Sequence, residues 1–176
     1  PRHNIPTVII SSISPDEGPM VLNALEFGAV DYIQKPSSIE IETASSSILE
    51  KVKAAARITP RTASGTVISR AKPGPFPVDT GRVIAIGSST GGTKALREIF
   101  LRLPRNIPPI VVVQHIPAGF SAAFAERLNQ ICEFPVKEAA DGDPVIPGRA
   151  LIAPGGKHLR VVRAGAGRIV RVEDGP

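Results

Sequence analysis

The sequence is poor in cysteine and in aromatic residues, and these shortages exclude several classes of protein. Cys132 is the single cysteine, so no disulfide can form within the chain, and a reducing cytoplasm is the simplest location. Tryptophan is absent, and the one tyrosine and six phenylalanines are not interleaved with a basic run, which argues against a stacking surface for nucleic acid. No apolar run approaches the length of a bilayer span. We therefore expect a cytoplasmic protein that binds no nucleic acid and does not insert into a membrane.

Clusters of His, Cys and Asp with the spacing of metal ligands are also missing, and we expect no metal and no cofactor. The formal net charge is +5, with much of the excess in scattered arginines, for which solvated loops are the simplest explanation. Hydrophobic residues make up 42% of the 176 residues, which is enough for one large domain or two small ones with packed cores.

The most informative stretch is Arg82–Gly92, which reads R-V-I-A-I-G-S-S-T-G-G. A β-branched run at Val83–Ile86 precedes a turn of small residues, and apolar residues then recur at helical spacing from Thr93 to Leu103. Strand, sharp turn and helix in this order predict a nucleophile elbow, with Ser89 at the centre of G-x-S-x-G. The small flanking residues would permit a strained turn, and the helix N-terminus would offer backbone N–H groups to an oxyanion.

Other interpretations of this loop are a phosphate cradle and a plain helix cap. A dinucleotide fingerprint requires glycine in place of Ser89, and a Walker loop requires Gly-Lys-Ser/Thr where Gly92-Thr93-Lys94 stands, so both fail on spacing. In the remaining alternative the serines only cap the helix and the glycines only allow close packing. Taken alone, the G-x-S-x-G pattern favours this last alternative.

The next strand candidate ends in a second residue with catalytic potential. The buried apolar run Ile110–Val113 is followed by Gln114-His115 and by a helical stretch through Leu128. Two successive βα units imply parallel strands with a right-handed crossover, so both strand C-termini lie at one edge of the sheet. Ser89 and His115 then meet where open α/β sheets bind ligands, which makes them candidates for nucleophile and general base. The alternative is that His115 only caps the following helix.

Three segments of different composition follow one another along the chain. Residues 1–56 show a βαβα succession of the doubly wound class, with a second helix predicted over 39–56. Residues 57–80 are rich in proline, glycine and serine, which predicts a linker. Residues 81–176 continue past the two βα units into short strand candidates and a β-hairpin about a glycine turn between Leu159 and Val172. The apolar positions predicted for the two helices of the first segment are Val21, Leu22, Leu25, Phe27, Ile41, Ile48 and Val52.

Three aspartates of the last segment are candidates for the acid of a triad. Asp141 and Asp143 lie in the turn sequence A-D-G-D-P, and Asp174 precedes the terminal Gly-Pro. Asp-Gly pairs are more often turn formers than catalytic acids, so none of the three is assigned to a triad.

Several motifs in consistent order make residues 81–176 similar to the catalytic domain of the CheB family, the chemotaxis protein-glutamate methylesterases that also deamidate receptor glutamines. The motifs are I-A-I-G-S-S-T-G-G-T, V-V-Q-H-I-P-A-G-F, F-A-E-R-L-N, D-G-D-P-V-I-P-G and L-I-A-P-G-G-K-H-L. The resemblance implies a doubly wound, parallel-sheet α/β domain in which Ser89 is the nucleophile and His115 the histidine of a Ser-His-Asp triad. Backbone N–H groups around Thr90 and Gly91 would bind the oxyanion. The implied substrates are methylated glutamates on the cytoplasmic helices of chemoreceptors, which a basic surface would also suit.

Residues 1–56 are similar to the C-terminal part of a receiver (flavodoxin-like) domain, on the residues A-L-E-F-G-A-V-D-Y-I-Q-K-P. The resemblance implies that Ser11 contacts the phosphoryl group, that Lys35 pairs with its oxygens and that Tyr32 occupies the aromatic switch position. It also implies a chemotaxis histidine kinase as partner and a receiver that covers the catalytic edge until phosphorylation moves it away. A serine after a strand and a Lys-Pro loop are also common without such a role.

Both resemblances are expected to be incomplete. The phosphoryl-accepting aspartate has no counterpart in the chain and would lie before Pro1, and the triad aspartate would lie beyond Pro176. Without the orienting acid a serine triad loses on the order of 10⁴-fold in turnover, so we expect weak or no activity from this stretch alone. The alternatives are a non-catalytic two-component signalling adaptor, which the missing acid favours, and another serine hydrolase, whose usual order of Ser, acid and His argues against it.

Overall fold

The computed structural model describes residues 5–12, 18–58 and 81–174. The chain divides into two compact units, Pro1–Ala71 and Lys72–Pro176. Most of the predicted linker lies outside the described residues, so the linker assignment at 57–80 stays a prediction.

Over residues 5–12 and 18–58, the N-terminal unit shows two parallel strands and two helices in the predicted βαβα order. They are β1 (Val8–Ser11), α1 (Gly18–Glu26), β2 (Asp31–Gln34) and α2 (Ile41–Ala56). β1 pairs with β2 in parallel, so Ser11 lies opposite Gln34 and the two strands end at the same edge.

Three of the apolar positions predicted for the helices of this unit are exposed in the structure. Phe27 lies beyond the end of α1 and is 92% exposed, because the chain turns there and Gly28 follows with a φ of 114°. α2 begins at Ile41 rather than at 39, and the Ile41 and Val52 side chains are 55% and 47% exposed. Helical spacing identified the apolar face of α2, but no other described residues pack over these two side chains closely enough to bury them.

The C-terminal unit is built on a four-stranded parallel sheet with strand order β3-β4-β6-β5. In chain order its elements are β3 (Ile84–Ser88), α3 (Gly92–Phe100), β4 (Ile110–Gln114), α4 (Phe120–Ile131), β5 (Val136–Glu138), β6 (Ala150–Ile152), β7 (Lys157–Ala164) and β8 (Gly167–Asp174). β3 extends to Ser88 because its parallel register with β4 continues to Gln114, and α3 ends at Phe100 rather than at Leu103. The predicted α/β class with a parallel sheet is confirmed.

One face of this sheet carries the helices. The crossovers from β3 to β4 and from β4 to β5 run in the same direction across the sheet, which places α3 and α4 on one face, in contact with each other. Phe100 at the end of α3 meets Phe134 edge to face, with ring centroids 5.4 Å apart. Successive side chains of a strand point to opposite faces of the sheet, so every second residue of β4 and β6 faces the helices. These residues are almost completely buried: Ile110, Val112, Ala150 and Ile152.

The opposite face is covered by the hairpin of β7 and β8. The two strands are antiparallel and joined by the two-residue turn Gly165-Ala166, as the glycine-turn prediction required. Val170 of the hairpin is fully buried in a cluster with Val111 and Leu151 of the sheet. The Val170 N–H also donates to Asp143 O at 2.9 Å, which ties the hairpin to the loop between β5 and β6. The β5–β6 loop and the hairpin therefore pack as one layer against the sheet.

Candidate active site

Ser89 follows the last residue of β3 directly and is exposed. The strand-turn-helix order predicted for Arg82–Gly92 is present, with α3 beginning at Gly92. The turn is made by Gly91, which is the N-cap of α3 and has a φ of 75°. Among the described residues only glycines have positive φ, so the expected backbone strain is not at Ser89. Gly119 holds the same N-cap conformation before α4, with a φ of 87°.

The structure brings Ser89 and His115 together at the carboxyl edge of the sheet. The parallel register places Ser88 opposite Gln114, so the residues that follow them lie side by side. Ser89 Oγ is 3.3 Å from the ring nitrogen Nδ1 of His115. The backbone N–H of His115 donates to Ser88 O at 2.8 Å. Nδ1 can accept the hydroxyl proton when the ring carries its own proton on Nε2. This geometry is that of a nucleophile and a general base, and the two roles stay predictions.

Backbone N–H groups are available beside Ser89. The N–H groups of Thr90 and Gly91 have no hydrogen-bond acceptor among the described residues, whereas the Gly92 N–H donates to Ser89 O at 2.6 Å. The N-terminus of α3 adds the positive end of the helix dipole at this place. An oxygen that develops negative charge next to Ser89 would therefore find free donors, as an oxyanion site requires.

The three candidate aspartates are engaged away from His115. Asp141 accepts hydrogen bonds from the Val172 N–H and the Arg171 guanidinium, which lower the pKa of its carboxyl in that order of importance. Asp174 pairs with Lys157 across the hairpin. Asp143 pairs with Lys137, whose Nζ is 2.8 Å away. Within the described part of the chain, no carboxylate hydrogen-bonds to His115.

Asp143 is expected to stabilise the C-terminal unit at neutral pH and to lose this effect in acid. Burial raises the pKa of its carboxyl, but hydrogen bonds from Lys137 and the Ala140 N–H, with the charges of Lys137 and Arg149, outweigh burial and hold the pKa below its ordinary value. Because the folded pKa is the lower one, the stabilisation is present above the unfolded pKa and disappears as the pH falls through the folded pKa. Asp143→Asn should lower the free energy of unfolding by about 1–2 kcal/mol at pH 7, measured by urea denaturation.

The matched control is Asp174→Asn. The Asp174 side chain is 87% exposed, and its pair with Lys157 is screened by water. The free energy of unfolding of Asp174→Asn should therefore hardly differ from that of wild type at pH 7 or at pH 3. The difference between wild type and Asp143→Asn should shrink at pH 3. An unchanged difference between pH 7 and pH 3 would show that the carboxylate charge is not what stabilises the loop.

A second turn lies at the same edge of the sheet, after β6. Ser121, completely buried near the start of α4, donates to Glu138 Oε1 at 2.5 Å and accepts from the Gly155 N–H at 2.8 Å. A Cβ added at Gly155 would lie 2.5 Å from Pro117 O, so only glycine allows this turn to pack on the loop that follows His115. The His115 loop is thereby supported from the β6 side.

The residues predicted for the receiver switch also meet at one strand edge, in the N-terminal unit. Tyr32 is 3% exposed, and its hydroxyl lies 3.0 Å from Ser11 O and 2.6 Å from Gln34 Oε1. Lys35 follows β2 with an exposed side chain, and its backbone N–H donates to Ser11 O at 2.8 Å. Their roles in phosphoryl recognition stay predictions.

Residues 5–12, 18–58 and 81–174 contain no group of three His, Cys, Asp or Glu side chains placed to hold a metal ion. None of the helices described is both long and apolar enough to cross a membrane.

Burial raises the pKa of the half-buried Cys132 thiol, which favours its protonated, unreactive form.

Known proteins resemble this chain over both units. A family model described as CheB methylesterase matches residues 84–176. A protein-glutamate methylesterase/protein-glutamine glutaminase of Syntrophotalea carbinolica is 44% identical over 190 residues, covering 100% of this chain and 52% of the relative. One from Syntrophus aciditrophicus is 45% identical over 180 residues, covering 99% and 52%. The chain spans about half the length of the curated relatives it matches.

A solved structure shares the fold. The crystal structure of the Thermotoga maritima CheB methylesterase catalytic domain matches with a TM-score of 0.52 and 43% sequence identity. The match covers 54% of this chain and 51% of that chain.

Proposed function

Because the chain belongs to the CheB methylesterase family, we propose that residues 81–176 form part of a methylesterase domain whose reacting groups are Ser89 and His115. The reaction is hydrolysis of glutamate methyl esters, and deamidation of glutamines, on the cytoplasmic helices of chemoreceptors during chemotaxis adaptation. One observation carries the proposal: Ser89 Oγ lies 3.3 Å from His115 Nδ1, beside the N–H groups of Thr90 and Gly91, which have no acceptor among the residues that the structure describes.

In the first step, Ser89 Oγ attacks the ester carbonyl carbon while His115 Nδ1 takes the hydroxyl proton. The carbonyl oxygen becomes an oxyanion that accepts hydrogen bonds from the Thr90 and Gly91 N–H groups. The intermediate then expels methoxide, which leaves as methanol with the proton from His115; a glutamine substrate releases ammonia in the same way. Water, deprotonated by His115, hydrolyses the acyl-serine and restores the free hydroxyl.

The rate of this reaction depends on what orients His115. Among the described residues, no carboxylate hydrogen-bonds to His115 and orients its ring. Because a Ser-His pair without the acid is slower by about 10⁴-fold than a complete triad, we expect slow Ser89-dependent turnover. The same observation favours a second candidate, a non-catalytic signalling adaptor.

Labelling with a fluorophosphonate separates the two candidates, since the reagent reacts with a serine that a neighbouring base activates. We expect a covalent adduct on the peptide that contains Ser89, located by mass spectrometry, and none on that peptide after His115→Ala. An unlabelled Ser89 in the wild-type chain would favour the adaptor.

We further propose that residues 1–56 form part of a receiver domain and that residues 57–80 link it to the esterase. Phosphoryl transfer from a chemotaxis histidine kinase would regulate the esterase through this part. The support is the grouping of Ser11, Tyr32 and Lys35 at the end of two parallel strands. Lys35 offers a point charge to phosphoryl oxygens there.

A further inference from the structure

Gln114 is the last residue of β4 and is only 6% exposed, although it lies between two exposed reactive residues, Ser89 and His115. A buried amide must be hydrogen-bonded on both of its ends to be tolerated in a core. Its position at the strand end places it beneath the loop that carries Ser89 and beside the chain that leads to His115.

The amide contacts the backbone of both reactive residues. Its Nε2 donates to Ser89 O at 3.0 Å and to His115 O at 3.3 Å. Its Oε1 accepts from Ser88 Oγ at 2.5 Å. The orientation of the amide follows from this network, since two carbonyl oxygens need donors and the serine hydroxyl needs an acceptor.

Gly92 leaves the room that this amide needs. A Cβ added at Gly92 would lie 2.8 Å from Ser88 Cβ and would overlap Gln114 Oε1. Glycine at the first position of α3 therefore lets the helix N-terminus sit directly on the Gln114–Ser88 hydrogen bond. The Gln114 amide thus forms a bridge between the Ser89 loop and the His115 backbone, and the start of α3 packs against this bridge.

We propose that Gln114 is a positioning residue for the Ser89–His115 pair. Its amide bridges the two strand ends and sets both the Ser89–His115 spacing and the direction of the Thr90 and Gly91 N–H groups. It acts through the backbone and touches neither substrate nor reacting atoms. This inference rests on the proposed function.

The test compares Gln114→Met, which keeps the length of the side chain and removes its hydrogen bonds, with wild type in the hydrolysis of 4-nitrophenyl acetate by the 176-residue chain. We expect kcat to fall on the order of 100-fold with KM unchanged, because a displacement of about 1 Å between reacting groups has this effect. Ser88→Ala should lower kcat about fivefold, as expected for one neutral hydrogen bond. The double variant should be no slower than Gln114→Met, since both changes break one network.

Asn129→Ala is the matched control. It also removes a side-chain hydrogen bond to the backbone, from the Val136 N–H at 2.9 Å, but at the opposite edge of the sheet. Its kcat should equal that of wild type. A Gln114→Met variant with wild-type kcat, or with a loss no larger than that of Asn129→Ala, would overturn the inference.

Amide hydrogen exchange separates failure of this inference from failure of the proposed function. The N–H groups of His115 and Gly92 should exchange about tenfold faster in Gln114→Met than in Asn129→Ala, because the bridge no longer holds their acceptors, Ser88 O and Ser89 O. Equal exchange rates of these N–H groups in the two variants would contradict the positioning role of Gln114, whatever the esterase activity. A wild-type chain without ester turnover would overturn the proposed function, and the exchange rates would still decide about Gln114.

Discussion

Ser89→Ala is expected to lower kcat for ester hydrolysis by the 176-residue chain on the order of 10³-fold, to the rate set by the remaining backbone groups. The reason is chemical: alanine has no hydroxyl to attack the carbonyl, and the His115 imidazole 3.3 Å away then has no proton to remove. Initial rates with 4-nitrophenyl acetate, compared at equal protein concentration, measure the change.

Ser88→Ala is the control for this prediction because it removes the same atom one residue earlier. The Ser88 hydroxyl donates to Gln114 rather than facing His115, so its loss should cost only about fivefold. The reverse order of the two effects would identify Ser88 as the nucleophile. Equal rates for Ser89→Ala and wild type would remove Ser89 from the mechanism.

Leu96→Ala is expected to lower the free energy of unfolding of the C-terminal unit by about 3 kcal/mol. Leu96 lies in the middle of α3 and is 1% exposed, so its truncation leaves a cavity in the core of the unit. α3 begins at the Ser89 loop, and loss of its packing should also release that loop at lower denaturant concentration. Urea denaturation followed by circular dichroism measures the change in stability.

Ile99→Ala is the matched control on the same helix. It removes the same number of carbon atoms, but the Ile99 side chain is 47% exposed, so the loss should be well below that of Leu96→Ala. Equal losses at the two positions would contradict the assignment of the buried face of α3.

Much of this fold follows from short-range patterns in the sequence. Two apolar runs that each lead into a helix predicted the parallel pair β3 and β4, and the run of glycines near 165 predicted the hairpin. The exposed apolar residues of α2, such as Ile41 and Val52, could not be predicted, because periodicity shows which residues share a face and not what covers it.

The site was predictable to a similar extent. Ser89 and His115 each follow a strand, and the rule that parallel strands end at one edge was enough to bring them together. Gln114 was missed because its partners, Ser88 and Ser89, lie more than 20 residues away in sequence. The available signal was a polar side chain at the end of a buried strand, directly before the histidine. Which glycine takes the positive φ, Gly91 or Gly92, also required the structure.

Methanol release from membranes that carry methylated chemoreceptors, with wild type and Ser89→Ala in parallel, tests the central claim most directly. The proposed mechanism predicts slow release by the wild-type chain, because the Ser89–His115 pair acts without a described orienting acid, and none by Ser89→Ala. Release by wild type no faster than by Ser89→Ala would contradict the assignment of a methylesterase centre to Ser89 and His115.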